Sequence, residues 1–222
     1  MNTKPLIPLH TIAVLVLFAV NGFAYDQKRE VKNEYWGNGK LKSKSHIING
    51  KYDGVWTEWY KNEKKRGEAH FKNGKQDGVW TEWYETGKIK VKKYYKNGLE
   101  DGSWTEWSET GHKKGKINFK NGKFDGLFTE WFRSGRLKSE IHFKNGKQDG
   151  PFASWYENGQ NNAEQYYKNG KLHGLSIIWN IHGNKIIEKN YKNGLEDGIW
   201  TEWAEDGRKI YQGNFKNGNE MK

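Results

Sequence analysis

Glu58, Glu82, Glu106, Glu130 and Glu202 recur at multiples of 24 residues, and a row of carboxylates at fixed spacing is the first place to look for acid–base chemistry. Inverting glycosidases use two carboxyl groups about 6.5–9.5 Å apart. Residues one period apart on a chain of hairpins lie two strands apart, roughly 9–10 Å, close to that upper limit. The chemistry also needs one carboxyl protonated and the other ionised, hence two unlike surroundings. Translation along a repeat gives every member of the column nearly the same surroundings. These glutamates are therefore expected to pair with lysines on neighbouring strands, and no catalytic residue is assigned.

His46, His70 and His142 share a second column. Imidazoles that share a zinc ion each stand about 2 Å from it, so residues a full period apart cannot close such a site by repetition alone. The chain has no cysteine, which removes disulfides and thiolate metal sites. No phosphate-binding Gly-rich loop, nucleophile elbow or calcium loop is present, and no cofactor or metal is expected.

The remaining columns suit binding rather than catalysis. Trp59, Trp83, Trp107, Trp131, Trp155, Trp179 and Trp203 form one. Three residues earlier stand Trp56, Trp80, Trp104, Phe128, Phe152, Ser176 and Trp200, and a third column holds Phe71, Tyr95, Phe119, Phe143, Tyr167, Tyr191 and Phe215. Strand side chains alternate, so a separation of three puts the first two columns on opposite faces. The Trp59 column is expected to stack across strands and protect the hydrogen-bond ladder. Trp56, Trp80, Trp104, Phe128, Phe152 and Trp200 are the candidate binding surface, because uncovered aromatic faces grip extended partners. A second candidate is the row Lys72, Lys96, Lys120, Lys144, Lys168 and Lys192, with Lys216 after it, which lines one edge and could follow anionic groups.

What positions these columns is an unbroken 24-residue period. Asn-Gly runs from Asn49 through Asn73, Asn97, Asn121, Asn145, Asn169 and Asn193 to Asn217, without insertion or deletion. Asp-Gly follows the same step at Asp53, Asp77, Asp101, Asp125, Asp149 and Asp197, with His173 in the one skipped place. Both dipeptides tolerate positive φ, so a KNGKQDG link is expected to reverse the chain at one end and a link such as Glu85 to Lys88 at the other. Neither link can hold a crossover helix, so consecutive strands should be antiparallel neighbours. The expected fold is all-β: an elongated, twisted, single-layer antiparallel meander of about eight 24-residue hairpins, some sixteen strands, extending roughly 70–80 Å. With 34 aromatic residues, 27 glycines and few aliphatic ones, a conventional two-layer core is not expected.

Segments such as DGVWTEWYETGK and YYKNGLEDGSWTEW resemble the bacterial variant of the MORN repeat over nearly the whole array. The resemblance implies a binding or scaffolding module, sometimes labelled an antitoxin of the YwqK type, and in eukaryotic relatives an association with membrane phospholipid. It supplies no catalytic residue. Glu63, where later repeats have glycine, and the sixth repeat, with His173, Ser176, Ile177 and Ile178, depart from the pattern.

Residues 1–24 read as a secretory signal peptide: Lys4 precedes an apolar stretch from Thr11 to Val20, and small Gly22 and Ala24 suit cleavage before Tyr25. Residues 25–32 are expected as a lead-in, 33–218 as the repeat array and 219–222 as a polar tail. The chain carries a formal charge of +11, with acids and bases interspersed rather than gathered into tails. Together these features predict a non-catalytic exported module of the periplasm or secreted space whose partner is another protein. Anionic lipid or envelope glycan are the alternatives, and export argues against nucleic acid.

Overall fold

The computed structural model describes residues 28–222; the expected signal peptide lies outside them. Among the described residues there are 21 strands and no helix, and every strand pairing is antiparallel. The described residues divide into two compact units, 28–89 with Tyr95–Leu99, and Lys90–Tyr94 with Glu100–Lys222. Each is a meander of hairpins in which a strand pairs with the strands next to it in sequence, as Gly54–Trp59 pairs with Lys65–Lys72 and Gly126–Trp131 with Leu137–Lys144.

The two dipeptides of the repeat do different jobs. Each Asn of Asn-Gly has φ near 50° and the following Gly a φ of 74–90°, the pair of left-handed residues that a two-residue hairpin needs. Asp-Gly does not reverse the chain. Between the pairs Ala69↔Trp80 and Phe71↔Gln76, three residues (Asp77, Gly78 and Val79) face the single residue His70. This is a bulge within a strand, and it splits four strands into short and long parts: Lys51–Tyr52, Leu99–Glu100, Lys123–Phe124 and Lys171–Leu172 precede their longer continuations. The sequence suggested a turn because positive φ is common to turns and bulges. The first strand, Arg29–Tyr35, starts inside the segment expected as a lead-in, and Asn219–Glu220 pairs with Phe215–Lys216 inside the expected tail.

Without a second layer, no large side chain is fully buried among the described residues. The residues that do reach burial are small or β-branched: Ala69, Ala163, Val91 and Ile117 on one face, and the threonines Thr57, Thr81, Thr105, Thr129 and Thr201 on the other. Threonine combines β-branching with little bulk, and so fits between the larger residues flanking it along the strand, such as Val55 and Trp59 beside Thr57.

Polar bonds hold one repeat to the next. The Asp53 carboxylate accepts the Asn73 amide at 2.9 Å, and Asp77, Asp101, Asp125 and Asp149 repeat this with Asn97, Asn121, Asn145 and Asn169 at 2.9–3.2 Å. The adjacent glycine amide donates to a carbonyl of the preceding repeat, as Gly74 does to Tyr52 at 2.7 Å. At the other sheet edge, the Tyr60 hydroxyl donates to the Trp83 carbonyl at 2.8 Å and Tyr156 to Trp179 at 2.9 Å.

Gly78 tests the bulge. Its φ is +115°, and a Cβ added there would stand 3.1 Å from the His70 Cβ. Gly78→Ala is expected to lower unfolding stability by about 2 kcal/mol or more. Gly37→Ala, at a turn with open space and no positive φ, should change it by no more than about 0.5 kcal/mol. Urea denaturation of the two variants makes the comparison.

Candidate functional site

Strand alternation and register together place the Trp56 column, the Phe71 column and the Glu58 column on one face. Trp56 lies opposite Ala69 and Glu58 opposite Gly67, while Phe71 lies opposite Gly54, two residues from Trp56. In the first unit the Trp56 and Trp80 rings stack at 5.8 Å across Ala69, which is only 1% exposed. A small residue in the middle strand lets the rings on both sides meet over it. Such a pair adds about 0.5–1.5 kcal/mol beyond the area it buries.

In the second unit the residue between the rings varies, and with it the surface. Trp104 faces Ile117, and Phe128 faces Ile141, which in turn faces Phe152. The rings of Trp104 and Phe119 stack at 5.5 Å, Phe119 meets Phe124 edge-on at 4.9 Å, and Phe124 meets Phe143 at 5.3 Å. Trp104, Phe124, Phe128, Phe143, Ile117 and Ile141 surround an apolar cleft of about 290 Å³, with Gly115 and Glu106 also in its wall. Gly115 occupies the position filled by Val91 and Ser139 in the repeats on either side, so the missing side chain opens the cleft beside Phe128. Further along the same unit, Phe152 meets Tyr167 at 6.3 Å and Trp200 meets Phe215 at 5.1 Å. Lys93 lies over Trp104 at 4.0 Å and Lys189 over Trp200 at 3.3 Å, both cation–π contacts.

The six aromatic residues chosen from the sequence are thus all half-buried on this face, but only Trp104 and Phe128 line the cleft. Phe124, 39% exposed, was not singled out. It sits directly opposite Phe119 across the Asn121–Gly122 turn, and counting outward from that turn would have found it. The Trp59 column makes cation–π contacts and anchors neighbouring side chains through its backbone. Trp83 and Trp131 are met by the Lys65 and Lys113 ammonium groups at 5.7 and 5.6 Å, and backbone carbonyls of the column anchor Trp36, Tyr60 and Tyr156.

The glutamates pair as their alternating register suggests. Glu58 binds Arg66 at 3.1 Å, Glu130 binds Lys138 at 3.0 Å, and Glu106 binds Lys114. Glu82 and Glu202 accept the indole N–H of Trp80 and Trp200, at 3.0 and 3.1 Å. Burial raises the Tyr167 and Tyr191 hydroxyls above the ordinary tyrosine value, and the hydrogen bond to Glu220 pushes Tyr211 to about 12. The histidines serve the bulge. The Nδ1 atoms of His46, His70 and His142 donate to the carbonyls of Val55, Val79 and Pro151 at 2.8–3.1 Å.

The lysine row is exposed, at the strand ends before each Asn-Gly turn. Lys72 is directly opposite Lys75, Lys120 opposite Lys123, Lys144 opposite Lys147 and Lys168 opposite Lys171. Lys216, the last of the row, binds the Asp197 carboxylate at 3.1 Å and holds that acid below its usual value.

The model of the MORN repeat variant matches residues 52–73, 76–97, 100–121, 124–145, 148–169 and 196–217, together more than half of the chain. The chain belongs to the MORN repeat variant family. Each MORN match runs from just before one Asp-Gly bulge to the next Asn-Gly turn, and the matches pass over the repeat that carries His173 and Ser176. MORN repeats are generally modules of protein or membrane-lipid interaction. No curated protein matches the chain.

The histidine role predicts a graded substitution series. Asn190 occupies the same column and donates to the Ile199 carbonyl at 3.2 Å. His70→Asn should therefore keep stability within about 0.5 kcal/mol, whereas His70→Leu leaves the Val79 carbonyl without its side-chain donor and should cost about 1 kcal/mol. Thermal unfolding of both variants distinguishes this from a histidine that serves only as surface.

Proposed function

We propose that this chain is a non-catalytic interaction module of the cell envelope or secreted space, and that it holds a partner protein by an apolar side chain seated in the Trp104–Phe128 cleft. The observation that carries the reading is the cleft itself. An opening of about 290 Å³ among Trp104, Phe124, Phe128 and Phe143 is of side-chain size, and aromatic pockets of this kind concentrate binding energy at protein interfaces. The paired glutamates and the carbonyl-bound histidines support a non-catalytic reading, since their polar atoms are engaged in holding strands together. Export rests on the character of residues 1–24. Neutralisation of a toxin would be one instance of such binding, and it predicts that co-expression restores growth in cells making the captured partner.

Two substitutions empty the cleft using residues the array already carries. Serine stands in the Phe128 column at Ser176, and glutamine stands in the Phe124 column at Gln76 and Gln148. Phe128→Ser with Phe124→Gln should leave folding intact and weaken capture of the partner from envelope fractions by about a hundredfold, the loss expected for two hot-spot rings. Equal capture by the wild-type and doubly substituted chains, with both folded by circular dichroism, would refute the assignment.

A further inference from the structure

The one break in the Asp-Gly series changes the charge of a pocket. Between the Asn145–Gly146 and Asn169–Gly170 turns lies a polar hollow of about 660 Å³ walled by Lys144, Lys147, Lys168, Tyr166, Asp149 and His173, with the two asparagines at its rim. The neighbouring hollow, about 520 Å³, includes Lys120, Lys123 and Lys144 but has both Asp125 and Asp149 in its wall. His173 thus replaces the second carboxylate. The three lysines of the His173 hollow make no ion pair among the described residues, and Lys144 and Lys147 are direct cross-strand partners, a pairing of like charges that destabilises a sheet unless an anion intervenes.

His173 also has a donor to offer. Its Nδ1 is 3.5 Å from the Asn193 amide nitrogen, the bond that Asp makes in other repeats. Accepting that N–H leaves the ring proton on Nε2, so the imidazole retains one donor in a wall that also holds three ammonium groups, the Tyr166 hydroxyl and the single carboxylate of Asp149.

We propose that this hollow is a binding site for a phosphate-class anion, with Lys144, Lys147 and Lys168 supplying the charge and His173 admitting the anion by removing the aspartate that would repel it. It lies at the turn edge and involves no residue of the aromatic cleft, so it stands or falls separately from the protein-binding reading.

His173→Asp is the decisive variant, because it installs the residue that six other repeats carry and so preserves the fold. Titrate the full chain with inorganic phosphate and with pyrophosphate by isothermal calorimetry at low ionic strength. The wild type should bind saturably. His173→Asp should bind about tenfold more weakly, as expected for one added negative charge beside the site, with an unchanged or higher melting temperature. Lys147→Gln should also weaken binding, and Lys123→Gln, outside this hollow, should leave it unchanged. Co-sedimentation with phosphatidylglycerol vesicles, competed by free phosphate and lost in His173→Asp, would identify the phosphate as lipid-borne; calorimetric binding without vesicle binding would identify a free phosphate. Absence of saturable binding in the wild type, or binding unaffected by His173→Asp, would overturn the proposal.

Discussion

A carboxylate placed twenty residues before the amide it accepts is the contact on which the periodicity depends. In a sheet with no second layer, a hairpin cannot be locked by burying a broad apolar face, so its position relative to the previous hairpin has to be set by directional bonds. The Asp53 to Asn73 bond and its successors do this at one sheet edge, together with the glycine amides that follow. Tyr60 and Tyr156 do it at the other edge through the carbonyls of Trp83 and Trp179. A one-residue slip would break both sets and turn every side chain to the opposite face, which accounts for a period kept without insertion from Asn49 to Asn217.

Once the register is held, the middle strand of each trio controls the aromatic face. Ala69 lets Trp56 and Trp80 close over it, whereas Ile117 and Ile141 hold Trp104, Phe128 and Phe152 apart. Gly115 then removes the side chain that would fill the space left beside Phe128. Binding capacity arises here from variation within a fixed frame: the columns supply rings everywhere, and a few small or branched residues decide where rings touch and where they part.

The fold was largely legible because Asn-Gly, Asp-Gly and alternating aromatics each state a backbone requirement directly. The error at Asp-Gly has a physical cause: positive φ is shared by turns and bulges, and only the pairing of His70 against Asp77, Gly78 and Val79 separates the two. The site was legible as a face but not as a place. Trp104 and Phe128 belong to a column visible in one dimension, but the cleft also needs Phe124 and Gly115, whose contribution depends on which strand lies beside which. The Trp59 column illustrates the same limit, since Lys65 and Lys113 reach its rings from neighbouring strands that no residue count along one strand identifies.

Amide hydrogen exchange at the turns tests the account of the register most directly. Asn73, Asn97, Asn121, Asn145 and Asn169 sit at exposed turn tips, yet their N–H groups are bound to the carboxylate of the preceding repeat. They should exchange with strand-like protection, while Asn193, held by His173 at 3.5 Å, exchanges faster than the rest. Exchange of all the turn amides at the rate of a free loop would show that the carboxylate bonds do not hold the repeats in phase.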